Sequence, residues 1–152
     1  MKAKILGVLL FVTSFGFAQT LEYGSNIKLA DAKKVAAAAE AYAAGKQWGV
    51  VIAIVDTGGN LVYLQKSDNV QVGSLEVAQL KAKTANNFKR PTKVFQDGLA
   101  ESTRALSLPN AIAVEGGELI ISGGKIIGAI GVSGLKAAED TEVAKAGTAA
   151  IK

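Results

Sequence analysis

Gly123-Gly-Lys-Ile-Ile-Gly-Ala-Ile-Gly-Val-Ser-Gly134 is the stretch whose reading decides the fold. Between Ile126 and Val132 it carries almost no polar side chain, and it reads as a β-strand. A second apolar run, Leu119 to Ile121, precedes it across Ser122-Gly123-Gly124. Two strands joined by paired glycines form a hairpin, because glycine supplies the positive φ that a tight turn demands. Gly128 and Gly131 interrupt the second strand, and a bare backbone there admits either a closely packed helix or a ligand.

Outward from the hairpin, the same logic orders the rest. Leu29 to Ala44 is helical, with Ala32, Val35, Ala36, Ala39 and Ala43 on one face and Gly45 as its stop. Gly49 to Val55 reads as a strand buried on both faces. Asp56-Thr57-Gly58-Gly59-Asn60 is a turn, and Leu61 to Gln65 is the returning strand. Ser74 is placed to cap a helix that ends near Asn87, with Leu75, Ala78, Ala82 and Ala85 on its apolar face. After Pro91, Thr92 is placed to cap a short helix over Val94 to Arg104, with Val94, Phe95 and Leu99 facing inward. Ala111 to Val114 reads as a strand leading to Gly116-Gly117, and a last helix runs from about Ala138 to Ala150. The order is helix, two strands, one or two helices, about three strands, helix. This is an α+β architecture, an antiparallel sheet of about five strands with helices on one side.

The N-terminus has a separate character. Lys2 and Lys4 precede an apolar run from Ile5 to Phe17, and Gly16 and Ala18 are the small residues that precede a signal-peptidase cut. Residues 1–18 therefore read as a signal peptide and 19–152 as one domain, exported to the periplasm or the cell exterior. The apolar run falls short of the roughly 20 residues that span a bilayer, so no membrane attachment is expected after cleavage. Losing Lys2 and Lys4 lowers the formal charge from +4 to +2. What remains holds no basic cluster of the kind nucleic acid requires. Lys89, Arg90 and Lys93 are the densest group, and three charges at a helix junction are ordinarily solvated.

The chemistry open to these residues is narrow. There is no histidine and no cysteine, which removes the usual catalytic triads, the thiol nucleophile and the common zinc ligands. Glu139, Asp140 and Glu142 either suit a helix N-terminus or form a carboxylate metal site, and the helix reading excludes any metal. Asp56 with Gly58, Gly59 and Asn60 is either an Asx turn or a polar binding group. Lys81 and Lys83 are two apart on a helix and face different ways, so one can meet an anionic ligand while the other is solvated. Gly116 and Gly117 either expose backbone N–H groups to a carboxylate or form a plain turn. Gly128, Gly131 and Gly134 do not match a dinucleotide fingerprint.

Four segments in order resemble the GlcG/HbpS family of small bacterial proteins, described as haem-binding or haem-degrading-like. They are Val50-Val-Ile-Ala-Ile-Val-Asp-Thr-Gly-Gly-Asn-Leu-Val62, Lys81-Ala-Lys-Thr-Ala-Asn-Asn-Phe-Lys-Arg-Pro-Thr92, Gly116-Gly-Glu-Leu-Ile-Ile121, and Gly128 to Gly134 followed by Glu139 to Gly147. The resemblance implies a profilin-like α+β fold, homo-oligomers and a small-molecule ligand such as haem. Three features depart from the family pattern. Asn60 stands where family members commonly carry histidine, Lys66-Ser67-Asp68 replaces an Arg-Met-Asp run, and Glu118-Leu119 replaces a Pro-containing pair. With no His or Cys, and with Met1 in the signal peptide, the usual axial ligands for haem iron reduce to Tyr23, Tyr42 and Tyr63, while the resemblance also implies haem contact through a threonine in some members.

The expected ligand-binding set is Asp56, Asn60, Tyr63, Lys81, Lys83, Gly116 and Gly117. Three functions follow. The first is an exported binder of small molecules with non-histidine tetrapyrrole binding. The second is an enzyme on a small organic acid or carbonyl compound, using Asp56 with Lys81 or Lys83. The third is a structural oligomer with a vestigial pocket.

Overall fold

A computed structural model describes residues 21–151; residues 1–18, expected from the sequence to be a signal peptide, lie outside them. Helix α1 (Leu29–Gly45) leads into strands β1 (Val51–Asp56) and β2 (Leu61–Lys66). Helices α2 (Ser74–Asn87) and α3 (Lys93–Gly98) follow, then a 3-10 turn (Thr103–Ser107). The chain closes with β3 (Gly117–Ser122), β4 (Lys125–Ser133) and α4 (Ala137–Thr148). The four strands form one antiparallel sheet in the order β2-β1-β4-β3. The quoted hairpin is β3–β4, and Gly123 and Gly124 both take positive φ, 57° and 75°, at its turn.

The sheet has four strands rather than about five. Ala111 to Val114 forms no strand, because side chains take the N–H groups around it: Ile112 donates to Thr84 Oγ1 at 3.0 Å and Glu115 to Gln96 Oε1 at 3.0 Å. Before α1, Tyr23 makes a single bridge to Ile126, and Gly24 and Ile27 donate to the Ile126 and Ile127 carbonyls. This segment continues the row of β1 beyond Asp56, whose partner on β4 is Gly128.

Helices cover both faces, not one. Alternation along β1 divides the core. Ile52 and Ile54 pack with Ile120, Ile130 and Val132 beneath α1 and α4. Val51, Ala53 and Val55 point the other way, toward Ala78, Ala82 and Ala85 of α2. The alanine face of α1 is fully buried, as its spacing requires, and α1 packs chiefly against α4. Gly131 of β4 and Gly117 of β3 serve α2, whereas Gly128 lies against the Val55 carbonyl oxygen and Ile27. A Cβ at Gly131 would collide with the Ala78 carbonyl oxygen, and one at Gly117, its partner across the strands, with the Lys81 carbonyl oxygen. The bare backbone thus admits a helix, not a ligand.

Some local expectations change. Ser74 lies inside α2, with Gly73 before it, and its hydroxyl accepts from Ser133 at 3.1 Å. Thr92 does not cap α3; its hydroxyl accepts from the Gly117 N–H at 2.8 Å. The helix expected over Val94 to Arg104 stops at Gly98 and resumes as the 3-10 turn, leaving Val94 half exposed and Phe95 buried. Leu75 is on the exposed side of α2.

Candidate functional site

The seven residues expected to bind a ligand separate into distinct places. At the β1–β2 turn, Asp56 Oδ1 accepts from the backbone N–H groups of Gly58 and Asn60, both at 2.9 Å, and Asn60 Nδ2 approaches the same carboxylate at 3.2 Å. The carboxylate is spent on closing its own turn, as an Asx motif does. The turn docks on the end of α2 through Asn86, whose Nδ2 donates to the Thr57 carbonyl at 3.0 Å.

Lys81, Gly116 and Gly117 meet toward the opposite end of the sheet. Asp56 pairs with Gly128, whereas Val132, the carbonyl that Lys81 reaches, pairs with Ile52, four residues away. At about 3.3 Å per residue the two groups are about 13 Å apart. Lys81 leaves α2, passes Gly116 and donates to Val132 O at 3.0 Å and Asp140 Oδ2 at 2.7 Å. A side chain at residue 116 would meet the Lys81 ammonium at 2.8 Å, and Gly116 has φ 116°. Asp140, at the start of α4, also accepts from the Leu135 N–H at 3.1 Å. Burial pushes its carboxyl up, and Lys81 and that N–H draw it back only in part.

This pair clamps the two helical layers around the end of the sheet. A network extends it: Glu115, buried, accepts from Gln96 at 3.2 Å and Thr141 at 3.3 Å. Glu118 beside it is buried, which raises its carboxyl above the ordinary value; Lys145 opposes the rise and Glu115 adds to it. Lys83 is partly exposed, with no hydrogen bond or ion pair among the described residues. Tyr63, on β2, donates to Gln65 at 3.2 Å. Gln65 lines a small cleft with Glu40, Trp48 and Ser67 under the end of α1. Its volume of about 100 Å³ corresponds to about three waters at the liquid share of each. Among the described residues no group of acidic side chains is arranged to hold a metal ion.

A larger cleft, of about 390 Å³, lies between α3 and the 3-10 turn. Its walls are Val94, Phe95, Gly98, Ala105 and Leu108, and its polar groups are Arg90, Ser102 and Arg104. Phe95 is held from behind by Phe88, edge to face at 5.3 Å between ring centres. α3 itself is tied to the sheet, since Thr92 exchanges hydrogen bonds with Gly117, and Gln96 clasps Glu115. An apolar cleft with two guanidinium groups and no acid in its lining is suited to a flat apolar ligand bearing carboxylates.

None of the seven expected residues lines this cleft. Sequence reasoning treated Arg90 as solvated and passed over Arg104. One signal was available: Arg90 and Arg104 are the only two arginines in the chain, against fifteen lysines. Arginine, not lysine, is the residue that grips a carboxylate with two parallel bonds.

Comparison with known proteins agrees with this architecture. Residues 27–149 match the family model described as haem degrading protein HbpS-like. Protein GlcG of Escherichia coli K12 is 36% identical over 103 residues, which is 67% of this chain and 77% of GlcG. A crystal structure of a Streptomyces reticuli HbpS double mutant superposes with a TM-score of 0.79 at 26% identity, covering 97% of this chain and 99% of that one. A PduOC–haem complex superposes with a TM-score of 0.75 at 26% identity, covering 84% and 96%.

Proposed function

This chain belongs to the HbpS-like family, and from that premise we propose that it is an exported small-molecule-binding protein that takes haem or a related tetrapyrrole without a histidine on the iron. The cleft between α3 and the 3-10 turn carries the reading. At about 390 Å³ it falls within the usual range for ligand sites, roughly 300–1,000 Å³, while the cleft under α1 does not. Val94, Phe95 and Leu108 offer an apolar wall to a macrocycle face, and Arg90 and Arg104 offer partners to its propionates. The haem-bound relative PduOC supports the ligand class.

Titration of haemin into the mature protein, followed by the Soret band, tests this. Arg90→Ala and Arg104→Ala are each expected to weaken binding about tenfold or more, the worth of one charge-assisted hydrogen bond. Asp56→Ala, Tyr63→Phe and Lys83→Ala are expected to leave it unchanged. Loss of binding in those three with the arginine variants unaffected would move the site to the expected residues.

Export predicts that the protein recovered from outside the cytoplasm begins at Gln19, which N-terminal sequencing reads directly. We also propose that the chain forms homo-oligomers, as the family resemblance implies, and light scattering of the purified chain reads this. Imine chemistry at Lys81 has no support from the geometry, because its ammonium is buried against Asp140.

A further inference from the structure

We infer that the cleft recognises the carboxylates and the flat apolar face of a tetrapyrrole and is indifferent to its metal, so that the iron-free macrocycle binds as well as haem. This rests on the reading above and narrows its ligand class.

Haem iron is ordinarily held by His, Cys, Met or Tyr. The chain has neither of the first two, and its one methionine, Met1, lies outside the described residues. The three tyrosines are engaged elsewhere. Tyr23 donates to the Asn86 carbonyl at 2.6 Å, and desolvation pushes its hydroxyl up, against the phenolate that iron would need. Tyr42 donates to Glu142 at 2.8 Å and Tyr63 to Gln65 at 3.2 Å. None of them lines the cleft. The cleft therefore holds none of the ordinary ligands of haem iron, and its one hydroxyl side chain is Ser102.

The same cleft does fit the rest of the molecule. Arg90 is oriented by its Nε donating to the Phe88 carbonyl at 3.0 Å, which leaves its terminal nitrogens available. The Arg104 guanidinium makes no hydrogen bond or ion pair among the described residues, although its backbone N–H is fixed by Ser102 Oγ at 3.2 Å. Two arginines thus line an apolar cleft with no acid in the lining to neutralise them. A dicarboxylate satisfies both, and a metal at the centre of the ring gains no protein ligand.

The test compares three probes on the mature protein by fluorescence quenching and absorbance: haemin, protoporphyrin IX and protoporphyrin IX dimethyl ester. Dissociation constants of haemin and protoporphyrin IX within about threefold of one another are expected, with the ester weaker by about tenfold or more. In the Arg90→Ala/Arg104→Ala double variant the acid and the ester are expected to bind alike. Haemin binding more than tenfold tighter than protoporphyrin IX, or an ester as tight as the acid, would overturn the inference while leaving tetrapyrrole binding intact. Failure of all three probes to bind would remove both.

Discussion

The Lys81 ammonium and the Asp140 carboxylate lie 2.7 Å apart with their side chains only 1% and 2% exposed, and they join helices on opposite faces of the sheet. Charges so deep in a protein are tolerated only together, since either one alone keeps its full desolvation cost.

Lys81→Met and Asp140→Asn are each expected to lower the unfolding free energy by about 3–5 kcal/mol. The double variant is expected to lose less than the sum of the two, because neither charge is then stranded. Urea denaturation of all four proteins measures the coupling. Additive losses would show that the two groups act independently.

Close approach of α2 to the sheet makes Gly131 intolerant of a methyl group. Gly131→Ala is expected to cost about 2–3 kcal/mol by overpacking against the Ala78 carbonyl. Gly45, the last residue of α1, has nothing within 4 Å of its missing Cβ, and Gly45→Ala is expected to be neutral or stabilising by up to about 1 kcal/mol. Thermal melts of the pair decide the point, and equal effects would contradict the packing described for β4.

Stability should respond to pH through Glu118. Burial raises its native carboxyl above the ordinary 4.5, so the folded chain holds the proton more tightly than the unfolded chain. The resulting contribution is complete below the ordinary glutamate value and is lost as pH rises through the raised native one. Glu118→Gln cannot titrate, so relative to the parent it should gain stability as pH rises from the ordinary glutamate value through the raised native one. Chemical denaturation across that window tests it, and a difference that stays constant with pH would assign the titration to another group.

Asp56 is expected to act on the turn and not on a ligand. Asp56→Ala removes the acceptor of two backbone N–H groups and should cost about 1–2 kcal/mol. Tetrapyrrole affinity is expected to stay at the parent's value. A stable variant with impaired binding would reverse the assignment.

Much of the fold was legible because its signals are local. The alanines of α1 recur at helical spacing, and all five of the expected positions are buried. Gly123 and Gly124 announced the β3–β4 hairpin, and Gly49 to Val55 announced a strand covered on both faces. The fifth strand failed for a non-local reason. Ala111 to Val114 has strand-like residues, yet Thr84 and Gln96, distant in sequence, supply side-chain partners around it that a neighbouring strand would otherwise provide.

The candidate site was much less legible. Periodicity placed Lys81 and Lys83 on different sides of α2 but could not say which found a partner. That depended on Asp140, fifty-nine residues further on. Arg90 and Arg104 were equally opaque, because the turn that brings them to one cleft ends α3 at Gly98 and begins again at Thr103.

By itself the sequence determined the three long helices and the four strands in their order, the apolar face of α1 and the absence of histidine and cysteine, since each of these is written in neighbouring residues or in composition. Only the tertiary structure decided that α2, not a ligand, lies over Gly131 of β4, that Lys81 is neutralised in the interior, and that two arginines share a cleft. Those outcomes depend on which side chains meet across long separations, and hydrophobic periodicity along the chain carries no record of that.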